Sequence, residues 1–227
     1  LVNESIDLWH REVMKAVFSG SGAPGAGALI LDVGCGFGRL ANEIAMLGRI
    51  PIGLDFTHEF CVEFAASYGE AICGDQAALP FLDGAFAGAY SVTSLMYLPH
   101  HVARAALLEL DRCVAPHGVI LILEPCREFN ELVRLMLPAK GGDQLAMPGF
   151  TLREIRDILP PGWVTVASGN CRWLTLALPL LATTTRWPRI FRCIASLARR
   201  LDRPRLGGCT PNGRISMYRW IACRKGS

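Results

Sequence analysis

The chain has 227 residues, 51% of them hydrophobic, and a formal charge of +3 at pH 7. That is enough to bury a substantial core without disulfides, metals or a partner, and the net charge is too small to mark the whole chain as a polyelectrolyte binder. Nine cysteines, at positions 35, 61, 73, 113, 126, 171, 193, 209 and 223, form an odd, widely spaced set with no C-x-x-C pair. They read as reduced, buried thiols of an intracellular protein, not a disulfide framework or a zinc site.

Leu1 is not an initiator methionine, so a trimmed start is expected, and no targeting peptide is legible in the residues present. Ile6, Trp9, Val13 and Val17 share one face of a helix expected over about 3–18, ahead of a glycine-rich linker at 22–27. Leu29, Ile30 and Leu31 then form an apolar run that Asp32 ends, and Leu40, Ala41, Ile44 and Leu47 recur at helical spacing. Between them lie Gly34, Gly36 and Gly38, a strand-to-helix turn whose backbone can approach a ligand and present it to a helix N-terminus. Arg39 stands where the dinucleotide fingerprint needs its last small residue, which disfavours NAD, and no G-x-x-x-x-G-K-[ST] phosphate loop is present.

A second short strand, 50–55, ends in Asp55, 17 residues beyond Gly38, where a doubly wound fold places a ribose acceptor. A third runs from Ala71 toward Asp75 and Gln76, a fourth from Phe86 to Thr93, and Val119 to Glu124 is the central fifth. Alternation of short apolar strands with amphipathic helices from Leu29 to Glu124 is what a parallel sheet covered on both faces requires. Glu109 and Arg112 are spaced for an ion pair on one helix, and His58 is expected to start the helix after Asp55. Thr151 is an N-cap for a helix to Ile158 that Pro160 and Pro161 stop, Trp163 to Ala167 forms strand six, and Ile215 to Cys223 strand seven.

Residues 170–213 are longer than a structureless loop of a compact domain would be, so helices are expected at 173–183 and 187–201. Between Arg172 and Arg205 eight arginines meet one acid, Asp202, a local balance of +7 that leaves the remainder of the chain at −4. The apolar stretch from Trp173 to Leu181, broken by Pro179, is too short for a bilayer, which takes about 20 residues.

The acid and glycine turn of Asp32, Gly34, Gly36 and Gly38, with Asp55, the Asp75-Gln76 segment and the helix and turn from Leu107 to Gly118, resembles the signatures of class I S-adenosylmethionine (SAM) methyltransferases of the small-molecule type, over about residues 29–125. The resemblance implies an α/β, Rossmann-like fold: a seven-stranded, mostly parallel sheet with helices on both faces and an antiparallel last strand inserted between five and six. The helical insertion lies between strands six and seven, and 1–227 reads as a single domain. Residues 1–20 are then either a lid helix over the cofactor or a helix packed on the sheet.

The resemblance further implies SAM as cofactor and S-adenosylhomocysteine as product, held by Asp32, Gly34, Cys35, Gly36, Gly38, Asp55, Phe56, Asp75, Gln76 and Thr93. Asp55 would take the ribose hydroxyls and Asp75 the adenine amino group, while Cys35 is common in this turn and needs no nucleophilic role. Two departures, Ala87 for an acid and His117 for a glycine before strand five, lie away from the cofactor.

Methyl transfer to a hydroxyl needs alignment and the loss of a proton, for which histidine is the best-matched side chain. His100 and His101 follow strand four at the acceptor rim and are the leading candidates. Tyr97 and Glu124 are expected at the same rim, and His10 would reach it from a lid helix. No carboxylate cluster suggests a metal. Thr93-Ser-Leu-Met replaces the Asn/Asp-Pro-Pro-Tyr/Phe motif of base amino methylation. The expected activity is methyl transfer to a small or lipid-linked acceptor, at oxygen, in a biosynthetic pathway. Rival readings are an RNA or protein methyltransferase using the arginine-rich insertion, and a SAM-fold protein that binds without catalysis. The insertion reads as an acceptor cap, as a basic amphipathic surface for a membrane or anionic carrier, or as a dimer interface. An anionic acceptor fits the arginines, nucleic acid is disfavoured, and the expected location is the cytoplasm, with peripheral contact at the membrane.

Overall fold

Along β5 (Val114–Pro125), Val119, Leu121 and Leu123 face one buried cluster while Ile120 and Ile122 face another. This two-residue period, on a strand apolar on both sides, dictates a sheet with cover on each face. The computed structural model describes residues 2–136, 149–171, 173–177, 186–204 and 216–226. The remaining strands are β1 (Leu29–Val33), β2 (Ile50–Asp55), β3 (Ala71–Cys73), β4 (Phe86–Val92), β6 (Trp163–Asn170) and β7 (Tyr218–Lys225). Their order is β3-β2-β1-β4-β5-β7-β6. All pairings are parallel except those of β7, which runs antiparallel to both β5 and β6.

The first cluster joins α1 (Val2–Ser19) to the sheet through Trp9, Val13, Met14 and Phe18, packed with Ile30, Tyr90 and Trp220. The second joins α4 (His100–Cys113) and α6 (Leu152–Ile158) to the opposite face through Leu107, Leu110, Ile155 and Ile158. Helices α2 (Ala41–Met46) and α3 (His58–Tyr68) follow β1 and β2, and α5 (Arg127–Met136) follows β5. In α6 the Thr151 hydroxyl accepts from the Glu154 amide at 3.1 Å while the Glu154 carboxylate accepts from the Thr151 amide at 2.8 Å, a reciprocal cap.

The expected ion pair on α4 is present, with Arg112 Nη2 2.8 Å from Glu109 Oε2. Strand five begins earlier than its apolar run because Val114 pairs with Phe86 before a register shift. His117 has φ 64°, the left-handed conformation that a glycine takes without strain. Strand seven starts at Tyr218, with Ser216 and Met217 before it, and Ile215, where the alternating pattern begins, lies outside the described residues.

Of the insertion, residues 173–177 are helical, and the helix expected over 187–201 is present as α7 (Pro188–Leu201), with Trp187 as its N-cap. The rest of the first expected helix, 178–183, lies outside the described residues. The Asp202 carboxylate accepts the amides of Trp173 at 2.9 Å and Leu174 at 2.8 Å, and its carbonyl accepts from Trp9 Nε1 at 3.2 Å. One residue thereby ties both pieces of the insertion to α1. No helix among the described residues is long and apolar enough to cross a membrane.

Candidate active site

In open parallel sheets, ligands sit beyond the carboxyl ends of strands where the order reverses. Here that point is β1 against β4, and the loops after these strands meet there. The turn after β1 is drawn onto the end of β2: the amides of Gly34 and Cys35 both donate to the Leu54 carbonyl, at 2.8 and 3.0 Å. The Asp55 carboxylate completes the clamp, accepting from the Gly36 amide at Oδ2 and from the Thr57 amide at Oδ1, each 2.9 Å. With one amide on each oxygen, about two of its four lone-pair sites remain for a ligand.

The result is a cleft of about 540 Å³ walled by Gly34, Gly36, Asp55, Phe56, Gly74, Asp75, Gln76, Thr93, Ser94 and Tyr97. A smaller cavity of about 290 Å³ adjoins it, sharing Gly34, Gly36, Phe60, Thr93 and Tyr97 and adding Asp32, Cys35, Phe37, Arg39 and Tyr90. The combined volume is that of a small-molecule site. Of the ten residues expected to hold a cofactor, nine therefore line one of the two cavities.

Gly38 does not. Its φ is 80°, and a Cβ there would lie 2.5 Å from the Tyr68 ring, so this glycine lets the turn pack against α3. Thr93 has φ 56°, a conformation that costs a β-branched residue energy and that tends to mark functional sites.

Asp32 is buried and accepts from the Tyr90 hydroxyl at 2.7 Å. Burial pushes its carboxyl up, to about 7, and the phenol's hydrogen bond only partly offsets this. A buried carboxyl at the wall of a cavity is stabilised as an anion by a cation placed beside it. Burial likewise pushes the Cys35 thiol far up, away from any thiolate role.

The residues expected to carry chemistry are dispersed. Tyr97 reaches both cavities, on a short 3-10 turn, Leu95–Tyr97. Glu124 is fully buried beneath that turn, where its carboxylate accepts the amides of Ser94, Leu95 and Met96 at 3.1, 3.0 and 3.2 Å. It caps the turn instead of facing an acceptor. Burial raises its carboxyl to about 8 against the pull of those three amides.

His100 turns away from the cleft toward α5 and α6: its Nε2 is 3.1 Å from Arg127 Nη2 and 3.7 Å from Glu154 Oε1, and its ring lies 5.2 Å from that of Phe150. Its place in the first turn of α4, packed against α6, accounts for this. His101, beside it, is exposed and lines neither cavity. His10 is buried in α1 with Nδ1 3.3 Å from Arg39 Nη2 and its ring edge-on to Tyr218. Burial, helped by the Arg39 guanidinium, pushes its imidazole down to about 3, so it is neutral at physiological pH and a poor proton acceptor.

Phe37, Phe60, Ser94 and Tyr90 belong to the site without having been singled out in the sequence. Phe37 had a signal, since it sits inside the glycine turn. Phe60 and Tyr90 had none beyond being apolar residues of a helix and a strand. Among the described residues no insertion side chain lines either cavity, and α7 lies against α1 instead. No group of three or more His, Cys, Asp or Glu among the described residues is placed to hold a metal ion.

Sheet order, the clamped glycine turn and the acids at the ends of β1 and β2 are the arrangement expected of a class I SAM-dependent methyltransferase domain, and the comparisons with known proteins point the same way. Residues 30–118 match the family described as a methyltransferase domain. The O-methyltransferase resE of Aspergillus sclerotiorum is 31% identical over 157 residues, covering 59% of this chain and 58% of that protein. The O-methyltransferase rstn1 of Aspergillus nomiae is 29% identical over 155 residues, 58% of this chain and 68% of that protein. The chain thus spans less than two thirds of the length of resE. Phosphoethanolamine N-methyltransferase 2 of Haemonchus contortus, solved with phosphomonomethylethanolamine and S-adenosylhomocysteine, shares the fold with a TM-score of 0.64 at 15% identity, over 96% of this chain and 53% of that one.

Proposed function

We propose that this chain transfers a methyl group from SAM to the oxygen of a small acceptor in a biosynthetic pathway. The observation that carries the reading is the clamp that Asp55 makes on the glycine turn at the wall of a cleft of the right size. The relatives' names as O-methyltransferases support oxygen as the acceptor atom. When bound, SAM supplies a methyl carbon made electrophilic by its sulfonium.

This chain's residues have the following tasks in the proposal. Asp55 takes the ribose hydroxyls with its remaining lone pairs, Asp75 and Gln76 hold the adenine end, and the turn at Gly34 and Gly36 receives the methionine end. Asp32 opposes the cofactor's positive charge, and that charge would in turn lower the carboxyl pKa that burial raises. Phe37, Phe60 and Tyr97 form the apolar side of the mouth, suited to an acceptor with aromatic or apolar surface.

No histidine lines the cleft among the described residues. The proposal therefore rests rate on alignment and proximity. It favours an acidic hydroxyl such as a phenol, whose proton leaves to water more readily than that of an aliphatic alcohol. An anionic acceptor draws no support from the cleft, which no described side chain of the insertion lines, and α1, joined to Arg39 through Asp7 and His10, serves as the wall that holds the turn in place. Titration calorimetry with SAM and S-adenosylhomocysteine, followed by transfer of labelled methyl to a panel of phenols and glycolipids, tests the proposal. Micromolar binding with turnover on a phenol is expected. Absence of binding by the wild-type chain would refute it.

A further inference from the structure

Helix α7 is apolar over a wider sector than the core uses. Phe191, Ala195 and Ala198 are buried against α1 and the sheet, yet Trp187, Ile190, Leu197 and Leu201 are 58%, 50%, 61% and 54% exposed. At 100° per residue these four fall on one strip beside the buried one. Arg186, Arg189, Arg200 and Arg203 flank that strip on its far side, all exposed. Arg199 is turned inward, with Nε 3.9 Å from Glu12 Oε1. The single acid of 186–204, Asp202, is buried and occupied by the Trp173 and Leu174 amides.

Trp173 and Leu176, on the helical segment that Asp202 caps, are also half exposed. On the arginine side, a groove of about 540 Å³ separates α7 from α1, with Leu8 and Leu197 on its walls and Arg192 and Arg200 at its edge; Glu4 is the acid that faces it. Exposed apolar strips bordered by polar residues mark contact sites.

We infer that α7 and the adjoining edge of α1 dock on an anionic lipid surface, with the strip of Trp187, Ile190, Leu197 and Leu201 at the headgroup and acyl boundary and lipid phosphates against the arginines. Charge complementarity selects this occupant. A second copy of the chain meeting the same face would set arginine against arginine. A nucleic acid would satisfy the arginines and leave Ile190, Leu197 and Leu201 in water. A basic helix with an apolar strip lies in the interface plane and does not cross it, and 14 residues are too few to span. The inference stands independently of the methyl-transfer reading.

The test is co-sedimentation of the whole chain with vesicles of phosphatidylcholine, alone or mixed with phosphatidylglycerol. Binding is expected only to the mixed vesicles, weakening as salt is raised. Each surface arginine is worth about fivefold in vesicle affinity, so R189Q/R200Q is expected to lower it about 25-fold. I190S/L197S should lower it by about tenfold or more at any salt. Both variants change exposed side chains, and unchanged melting temperatures verify that they fold. Equal binding to neutral and anionic vesicles, no binding by wild type, or a dimer in light scattering that I190S/L197S dissolves would each overturn the inference. SAM calorimetry on the same preparations reports separately on the proposed activity, and neither variant should change it.

Discussion

Replacing Asp55 separates a ligand contact from a structural one. In the folded chain each carboxylate oxygen accepts one amide, from Gly36 and Thr57, both at 2.9 Å. Under the proposed reading the same two oxygens take the ribose diol. A hydrogen bond to a charged group is worth about 1.5–3 kcal/mol, so Asp55→Ala forfeits about 3–6 kcal/mol of ligand binding, or about two to four orders of magnitude in Kd. Asp55→Asn keeps one acceptor oxygen and should lose about half of that energy, roughly 10- to 150-fold in Kd. Asp55→Asn leaves one amide and Asp55→Ala two without a partner, at a cost of about 1–3 kcal/mol each to the fold, so a lower melting temperature accompanies the weaker binding. Calorimetry with S-adenosylhomocysteine reads the first effect and thermal unfolding the second. If both variants bind within about threefold of wild type while melting lower, Asp55 is a scaffold for the glycine turn and the assignment of the ribose site is refuted.

Asp32 provides a pH signature. Its folded-state pKa of about 7 lies above that of the unfolded chain, so the folded protein keeps a proton that the unfolded one loses. Stability from this group is full below the unfolded pKa, about 4, and falls as pH rises toward about 7. Asp32→Asn should flatten that decline in melting temperature between pH 5 and 8 by the equivalent of about 2.6 kcal/mol at most, and an unchanged slope would refute the assignment. Glu124→Ala strips three amides of their acceptor and should cost about 2–4 kcal/mol, whereas Glu124→Gln, which keeps an oxygen for the two amides sharing Oε1, should cost about 1 kcal/mol. Equal melting temperatures for the two would contradict the capping role. His100→Ala should leave kcat/KM within about twofold, since its ring contacts Arg127, Glu154 and Phe150 outside the cleft; a loss above tenfold would return it to the catalytic candidates. Gly38→Ala, at φ 80° and with its Cβ 2.5 Å from Tyr68, should destabilise by about 2–4 kcal/mol, read as a fall in the denaturant midpoint.

The fold was legible because its signals are local. Apolar runs of period two, helices of period three to four and glycines between them identify a covered parallel sheet before any contact is known, and the acids ending β1 and β2 point to the ligand end of it. Residues within one or two positions of a strand end were placed for the same reason: Asp55, Asp75 and Thr93 have little choice of direction once the strand is set. The catalytic candidates failed to converge because their directions depend on packing. Whether the first turn of α4 shows His100 to the cleft or to Arg127 is decided by α5 and α6, which are distant in sequence, and burial against Arg39 decides that His10 is neutral. Glu124 ends a strand at the expected rim, yet the three amides above it were created only when the loop after β4 folded over β5. The sequence alone determined an α/β sheet with a basic insertion, since these follow from periodicity and charge, while SAM as its ligand came from the resemblance of its motifs. Which side chains face the cleft, and that α7 faces α1 with Trp187, Ile190, Leu197 and Leu201 left exposed, were settled only by tertiary packing, because a side chain's direction depends on neighbours that the local pattern does not name.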